Sequence, residues 1–334
     1  MTASGLPGPR PQTRIAATAA AAMALAALGP MIAACDGAIE RGPGFEHYSD
    51  DPSPRRLVEV LSGKANDERR EILKRALAAR AIAFTTEPYQ AAGRAGENVI
   101  IEIGAGTHVL AFAAHFDRAP NSPGANDNAS CVAAAMAAYE RIRNDGAPVN
   151  LSVRFLFFDH EETSRLGSKH YARNHDLGRF VGIASLELCG IGDALGVWDV
   201  RGPAENSLLV DAFAVAADAE DVYHGTHGAV PRYSSDHRSF ADAGLPAVGI
   251  TVLPQKDEAV LRDYVDHPNR WRWLIPWFRP IIFRTYHGPG DRARTVDPAA
   301  IDMVARVVRR VVAIADERLT ERSRRAETRS CRVC

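Results

Sequence analysis

The segment Leu151–Phe158 (LSVRFLFF) reads as an apolar strand of the kind buried in the middle of a sheet, and it constrains the fold more than any other stretch. Such a strand needs neighbours on both edges and cover on both faces. The chain supplies them. Asn98–Ile103, His108–Ala114, Val181–Leu188, Leu195–Val200 and Ala247–Val252 read as further strands. Apolar residues recur at helical spacing from Pro54 to Ala83, where two helices are expected. Helices are also expected at Ala129–Arg143, Ser164–Asn174, Asn206–Ala217, Ser235–Ala243 and from Pro298 to about Arg318. Gly104-Ala105-Gly106 suits a hairpin-type turn between two of the strands. Alternation of strands and helices implies an α/β fold, with a central mixed, mostly parallel sheet sandwiched between helices. In such sheets functional groups collect at the carboxyl ends of the strands.

Acids and histidines stand at those ends. His115 lies in AAHFD, Asp127 in GANDNAS, Glu161 and Glu162 in FFDHEE, Glu187 in SLELCG and His287 in TYHGPGD. Oxygen and imidazole groups gathered this way suit zinc, and a carboxylate left over beside them suits a general base. Asp117, two residues after His115, faces the same way on extended chain and is placed to orient that imidazole. Each motif taken singly has a plainer reading. His115 and Asp117 fit a surface turn, Asp127 a helix cap, and the Glu161-Glu162 pair a solvated acidic turn. Adjacent carboxylates at the end of a buried strand repel one another, which a cation would relieve. Most of the eleven histidines lack any such setting.

The 334 residues allow one large α/β domain or two small ones, and a formal net charge of −1 gives no reason to propose a nucleic-acid partner. Arg10 and Arg14 precede an Ala-rich apolar run ending in small residues, so 1–35 reads as a secretory signal. Ile32-Ala33-Ala34-Cys35 looks like a bacterial lipobox, in which Cys35 is lipidated and attaches the protein to a membrane. The alternative is ordinary cleavage near Ala34. The expected location is outside the cytoplasm: periplasmic, inner-membrane-anchored or secreted. Residues 36–54 read as a tether, 55–320 as one folded domain and 321–334 as a disordered basic tail. Four further cysteines could form two disulfides, but Cys131 and Cys189 are expected to be small buried hydrophobes. The tryptophan-rich stretch Trp271–Phe278 could wall an apolar pocket, touch a membrane surface, or pack on itself.

Taken together, AAHFD, SPGANDNAS, FFDHEE with LGSKHYA after it, SLELCG, SSDHRSFADAGLPAV and TYHGPGD resemble the di-zinc exopeptidase family of bacterial aminopeptidases, plasma glutamate carboxypeptidase and glutaminyl cyclase. The resemblance covers about residues 95–315. It implies two Zn2+ per chain. His115 and Glu187 would hold one, Glu162 and His287 the other, and Asp127 would bridge them. Glu161 would be the general base. Tyr286 would help to hold the oxyanion, and Asp236 would sit behind the ligands or face the substrate. Three departures stand out: Glu187 where the family usually has Asp, Cys131 in place of a Gly, and His160 in place of a Gly before the acidic pair.

The implied activity is that of a zinc exopeptidase acting on peptides, foremost an aminopeptidase. Glutaminyl cyclase is the alternative, although cyclases tend to place Trp where Tyr286 stands. A non-catalytic binding domain is a third reading, opposed by the retention of both Glu161 and Glu162. No H-E-x-x-H, G-x-S-x-G or strand-following G-x-G-x-x-G is present.

Overall fold

A computed structural model describes residues 39–230, 233–267 and 284–330, all within a unit that begins at Ile39. The signal and lipobox, Trp271–Phe278, Cys331 and Cys334 lie outside the described residues. Among the described residues no helix is long and apolar enough to cross a membrane.

Among the described residues eight strands form one mixed sheet in the order β1-β2-β4-β3-β5-β8-β6-β7. They are β1 (Thr85–Ala91), β2 (Arg94–Ile103), β3 (His108–His115), β4 (Leu151–Phe158), β5 (Phe180–Glu187), β6 (Ala194–Trp198), β7 (Tyr223–Thr226) and β8 (Ala247–Leu253). The centre, β4-β3-β5-β8, is parallel, while β1-β2, β2-β4 and β6-β8 pair antiparallel. The α/β sheet expected from the apolar run at β4 is therefore present, with β4 beside the middle.

The alternation of β3 shows how the two faces are filled. Leu110, Phe112 and Ala114 enter the larger core, whereas Val109, Ala111 and Ala113 enter a smaller one on the other face. Among the described residues the α-helices are α1 (Glu46–Asp50), α2 (Pro54–Leu61), α3 (Asn66–Ala79), α4 (Ser130–Asp145), α5 (Leu166–Asn174), α6 (Leu208–Ala219), α7 (His237–Ala241), α8 (Glu258–Asp266) and α9 (Pro298–Ser330). The larger core takes α4, α6 and α9, while Tyr171 of α5 and Phe240 of α7 close the smaller. Local chemistry sets the helix starts. Ser53 and Ser207 accept the amides of Arg56 and Val210, and Pro54 occupies the first turn of α2.

Several expectations need correcting. Gly104–Gly106 does not close a hairpin, because β4 lies between β2 and β3. The hairpin is instead β1-β2, turned by Ala92 and Gly93 at φ 50° and 73°. The 36–54 segment is not a plain tether: within it α1 forms, and Phe45 and Tyr48 are buried in the main core. Helix α9 continues through the expected tail as far as Ser330. Cys131 and Cys189 are buried, as expected, but they are bonded to each other as a disulfide, with Cα atoms 5.1 Å apart.

Candidate metal centre and active site

Parallel pairing places the ends of three strands side by side. His115, the last residue of β3, is in register with Phe158, the last of β4. Beyond Phe158 the chain turns through Asp159 and His160 to Glu161 and Glu162, and β5 ends at Glu187. His160 takes φ 55°, the left-handed region where glycine is comfortable. This accounts for a Gly at that position in the family pattern. Here the turn is held by Asp159, which accepts the His160 amide at 2.9 Å, and by Tyr89, whose hydroxyl donates to the Asp159 carbonyl at 3.0 Å.

Asp117 fastens two of these ends together. It is fully buried, its Oδ1 lies 3.2 Å from His115 Nδ1, and its two oxygens accept the amides of Glu161 and Glu162 at 3.1 Å each. The orientation of the imidazole and the placement of the acidic pair thus share one anchor.

Asp127 is presented by the loop before α4. It does not cap that helix, and neither does Asn128, whose side chain bridges the Leu186 carbonyl and the Leu188 amide. Two residues not singled out in the sequence hold this loop. Asp291, the last residue of TYHGPGD, is buried and accepts the Asn126 and Asp127 amides at 2.6 and 3.1 Å and the Ser122 hydroxyl at 3.1 Å. Arg69 of α3 is also fully buried. It donates to the carbonyls of Phe116, Leu61, Pro123 and Gly124. Gly124 sits at φ 71°, and a Cβ there would fall 2.8 Å from Arg69 Nη1. Burial lowers Arg69 to about 10, opposed by the nearby charges of Asp117, Asp291 and Asp127. Replacing Arg69 with Met would strip donors from four buried carbonyls and remove a positive charge near Asp117, Asp291 and Asp127. The expected loss is about 3–5 kcal/mol of stability, read from urea unfolding. A change under about 1 kcal/mol would show that these carbonyls do not depend on it.

At the centre, Asp127 faces two histidines with different oxygens. Oδ1 lies 3.3 Å from His115 Nε2, and Oδ2 lies 3.4 Å from His287 Nε2. Glu187 Oε2 is 3.5 Å from the same His115 nitrogen, and Glu162 Oε2 is 3.0 Å from the same His287 nitrogen. The five side chains therefore form two halves sharing one carboxylate. His287 is the member at the mouth, its side chain 42% exposed.

The charges of this arrangement are far from their ordinary states. Burial would lower His115, but Glu187, Asp117 and Asp127 outweigh it and hold the imidazole well above its usual value. His287 is raised likewise by Glu162 and Asp127 against the effect of burial. Burial pushes Glu161 well above the usual carboxylate range, opposed by His115 and reinforced by Asp236 and Glu187. Glu162 is raised by burial and by Asp127. Burial brings Asp236 and Asp291 up to about 7. Buried Asp127 Oδ2 and Glu162 Oε1 have no hydrogen-bond donor. Lone pairs without donors, in a mixed imidazole and carboxylate set, fit a divalent cation. Ligand atoms of His115, Asp127 and Glu162 all lie within 4.8 Å of one another.

The family model of Peptidase family M28 matches residues 98–312. The chain belongs to peptidase family M28. Over 89 residues it is 37% identical to a probable lipoprotein aminopeptidase of Mycobacterium tuberculosis, a match covering 26% of this chain and 18% of that one. It spans less than half the length of the first curated relatives it matches. Two solved structures share the fold. One is a zinc aminopeptidase from Bacillus subtilis, with 20% identity, TM-score 0.52, and 66% of this chain and 50% of that chain covered. The other is a Fimbriiglobus ruber glutaminyl cyclase, with 18% identity, TM-score 0.60, and coverage of 82% and 97%.

In this M28 chain the departures from the family pattern are accommodated. The longer arm of Glu187 is braced by the Ser235 hydroxyl, which donates to Oε1. Cys131 is spent in the disulfide to Cys189. Next to Glu187 opens an apolar pocket whose walls include Leu188, Trp198, Val230, Tyr233, Leu261 and Tyr286. Tyr286 stacks on His287 with ring centroids 3.7 Å apart, and burial raises its hydroxyl above the usual tyrosine range. Asp236 is fully buried, one residue from the serine that braces Glu187.

Proposed function

We propose that this M28 chain is a zinc exopeptidase that removes N-terminal residues with apolar side chains. The observation that carries the reading is the division of Asp127, one oxygen toward His115 and Glu187 and the other toward His287 and Glu162. His115 and Glu187 would hold one Zn2+, and Glu162 and His287 the other, with Asp127 shared. Bound zinc supplies Lewis acidity, which makes water a nucleophile at neutral pH and polarises the scissile carbonyl.

The remaining chemistry belongs to the chain. Glu161, anchored through its amide to Asp117, takes a proton from the attacking water on its carboxylate and returns it to the departing amine. The Tyr286 hydroxyl, which keeps its proton firmly, donates a hydrogen bond to the carbonyl oxygen as charge develops there. The apolar pocket beside Glu187 and Tyr286 receives the side chain of the N-terminal residue.

Export completes the proposal. The Cys131–Cys189 disulfide suits an oxidising compartment. The mycobacterial relative is described as a lipoprotein, which supports lipid attachment at Cys35. A second reading, cyclisation of N-terminal Gln, is favoured by the near-complete coverage of the cyclase fold.

One assay separates them. With zinc present, the protein should cleave leucyl anilide, leave a Gln-initiated peptide uncyclised, and lose turnover to a chelator. Cyclisation without anilide cleavage would reverse the assignment, and turnover indifferent to chelator would remove both.

A further inference from the structure

The Cys131–Cys189 disulfide lies close to the centre in both directions along the chain. Cys189 follows Glu187 by two residues, and Cys131 follows Asp127 by four. The bond joins the first turn of α4 to the exit of β5 across 58 residues of sequence. Around it the two segments meet through neutral hydrogen bonds. The Gly190 amide donates to Asn126 Oδ1 at 2.7 Å, the Cys189 amide to Ser130 Oγ at 3.0 Å, and Asn128 Nδ2 to the Leu186 carbonyl at 2.9 Å. These segments carry Asp127 and Glu187, two carboxylates aimed at the same His115 nitrogen and so repelling each other. The other half has anchors independent of the bond. Glu162 is set by its amide on Asp117, which also faces His115, and the Asp127 amide is tied to Asp291, four residues after His287.

We propose that the Cys131–Cys189 bond is a positioning element for one half of the centre, fixing Asp127 against Glu187, and that opening it releases the cation held by His115, Asp127 and Glu187 while the one held by Glu162, His287 and Asp127 stays. This rests on the two-cation reading above. It assigns the departure at Cys131 a role in metal retention rather than in filling the core.

The test uses the full zinc-loaded chain and its double variant Cys131→Ala/Cys189→Ala, with folding checked by circular dichroism. Zinc content is counted by native mass spectrometry across a chelator titration. The variant should lose one of its two ions at about tenfold lower chelator or less, the scale of effects from groups that support ligands, with the second ion retained as in the parent. Glu187→Ala with the bond intact should lose the same single ion and serves as the reference. Equal retention of both ions, with only a lower melting temperature, would make the bond a plain staple and overturn the proposal, as would equal weakening of both. A parent chain that binds fewer than two zinc ions would instead bring down the two-cation reading and this proposal with it.

Should the double variant fail to fold, the parent protein is treated after folding with a water-soluble phosphine. There the S–S bond breaks, each sulfur leaves as a thiol, and the phosphine is oxidised to its oxide with oxygen from water. The same selective loss of one ion is then expected.

Discussion

Glu161→Gln should lower kcat by about 10²–10⁴-fold on leucyl anilide while leaving the zinc content unchanged. The substitution keeps the size of the side chain and the amide that Asp117 accepts, so the acidic turn has no reason to move. What disappears is the carboxylate proposed to take up a proton. The site argues for a large effect, since Glu161 is pushed well above the usual carboxylate range by burial and keeps company with Asp236 and Glu187. A buried carboxylate whose protonated form is favoured in this way is a candidate for proton transfer. Zinc content has to be measured beside turnover, because a loss of metal would mimic a loss of the base. Full zinc with turnover within about threefold of the parent, well below the range for general-base removal, would take the base role away from Glu161.

Asp127→Asn should do the opposite: empty the centre. Asp127 is the one of the five proposed ligands that comes within 4 Å of both histidines, with Oδ1 toward His115 and Oδ2 toward His287. An amide keeps the volume but removes the charge and turns one acceptor into a donor directed at an imidazole nitrogen. Apparent zinc affinity should fall in both halves by more than about 100-fold, the upper end of what groups one step further out contribute. The check is competition with a colorimetric chelator. Loss confined to one ion would show that the halves do not share this carboxylate. The pair of variants therefore separates proton transfer from metal binding.

Much of this was legible before any coordinates. The apolar run at β4 and the alternation around it fix a sheet covered on both faces, and the ends of β3, β4 and β5 carry His115, Glu161, Glu162 and Glu187 where parallel strands bring such ends together. The supporting residues were not legible, because support is a matter of spatial neighbours. Arg69 sits in an ordinary charged helix sequence, and only the fold buries it near Asp117, Asp127 and Asp291. Asp291 lies inside a quoted motif, yet its partners are amides more than 160 residues earlier. The strand β1 was hidden by polar residues and Pro88, which an edge strand tolerates. The turn at Gly104–Gly106 looked local because sequence shows which strands are consecutive and not which are adjacent. The Cys131–Cys189 pairing could not be chosen from spacing alone.

The walls of the apolar pocket have a consequence for how such a protein can change over time. Trp198 belongs to β6 and Leu261 to α8, neither of which supplies a side chain to the five at the centre. If the proposed activity holds, selection can retune the preferred peptides by drifting through those two elements, while the residues proposed to handle the proton are inherited untouched. An engineer wanting a new cleavage preference would begin in the same place.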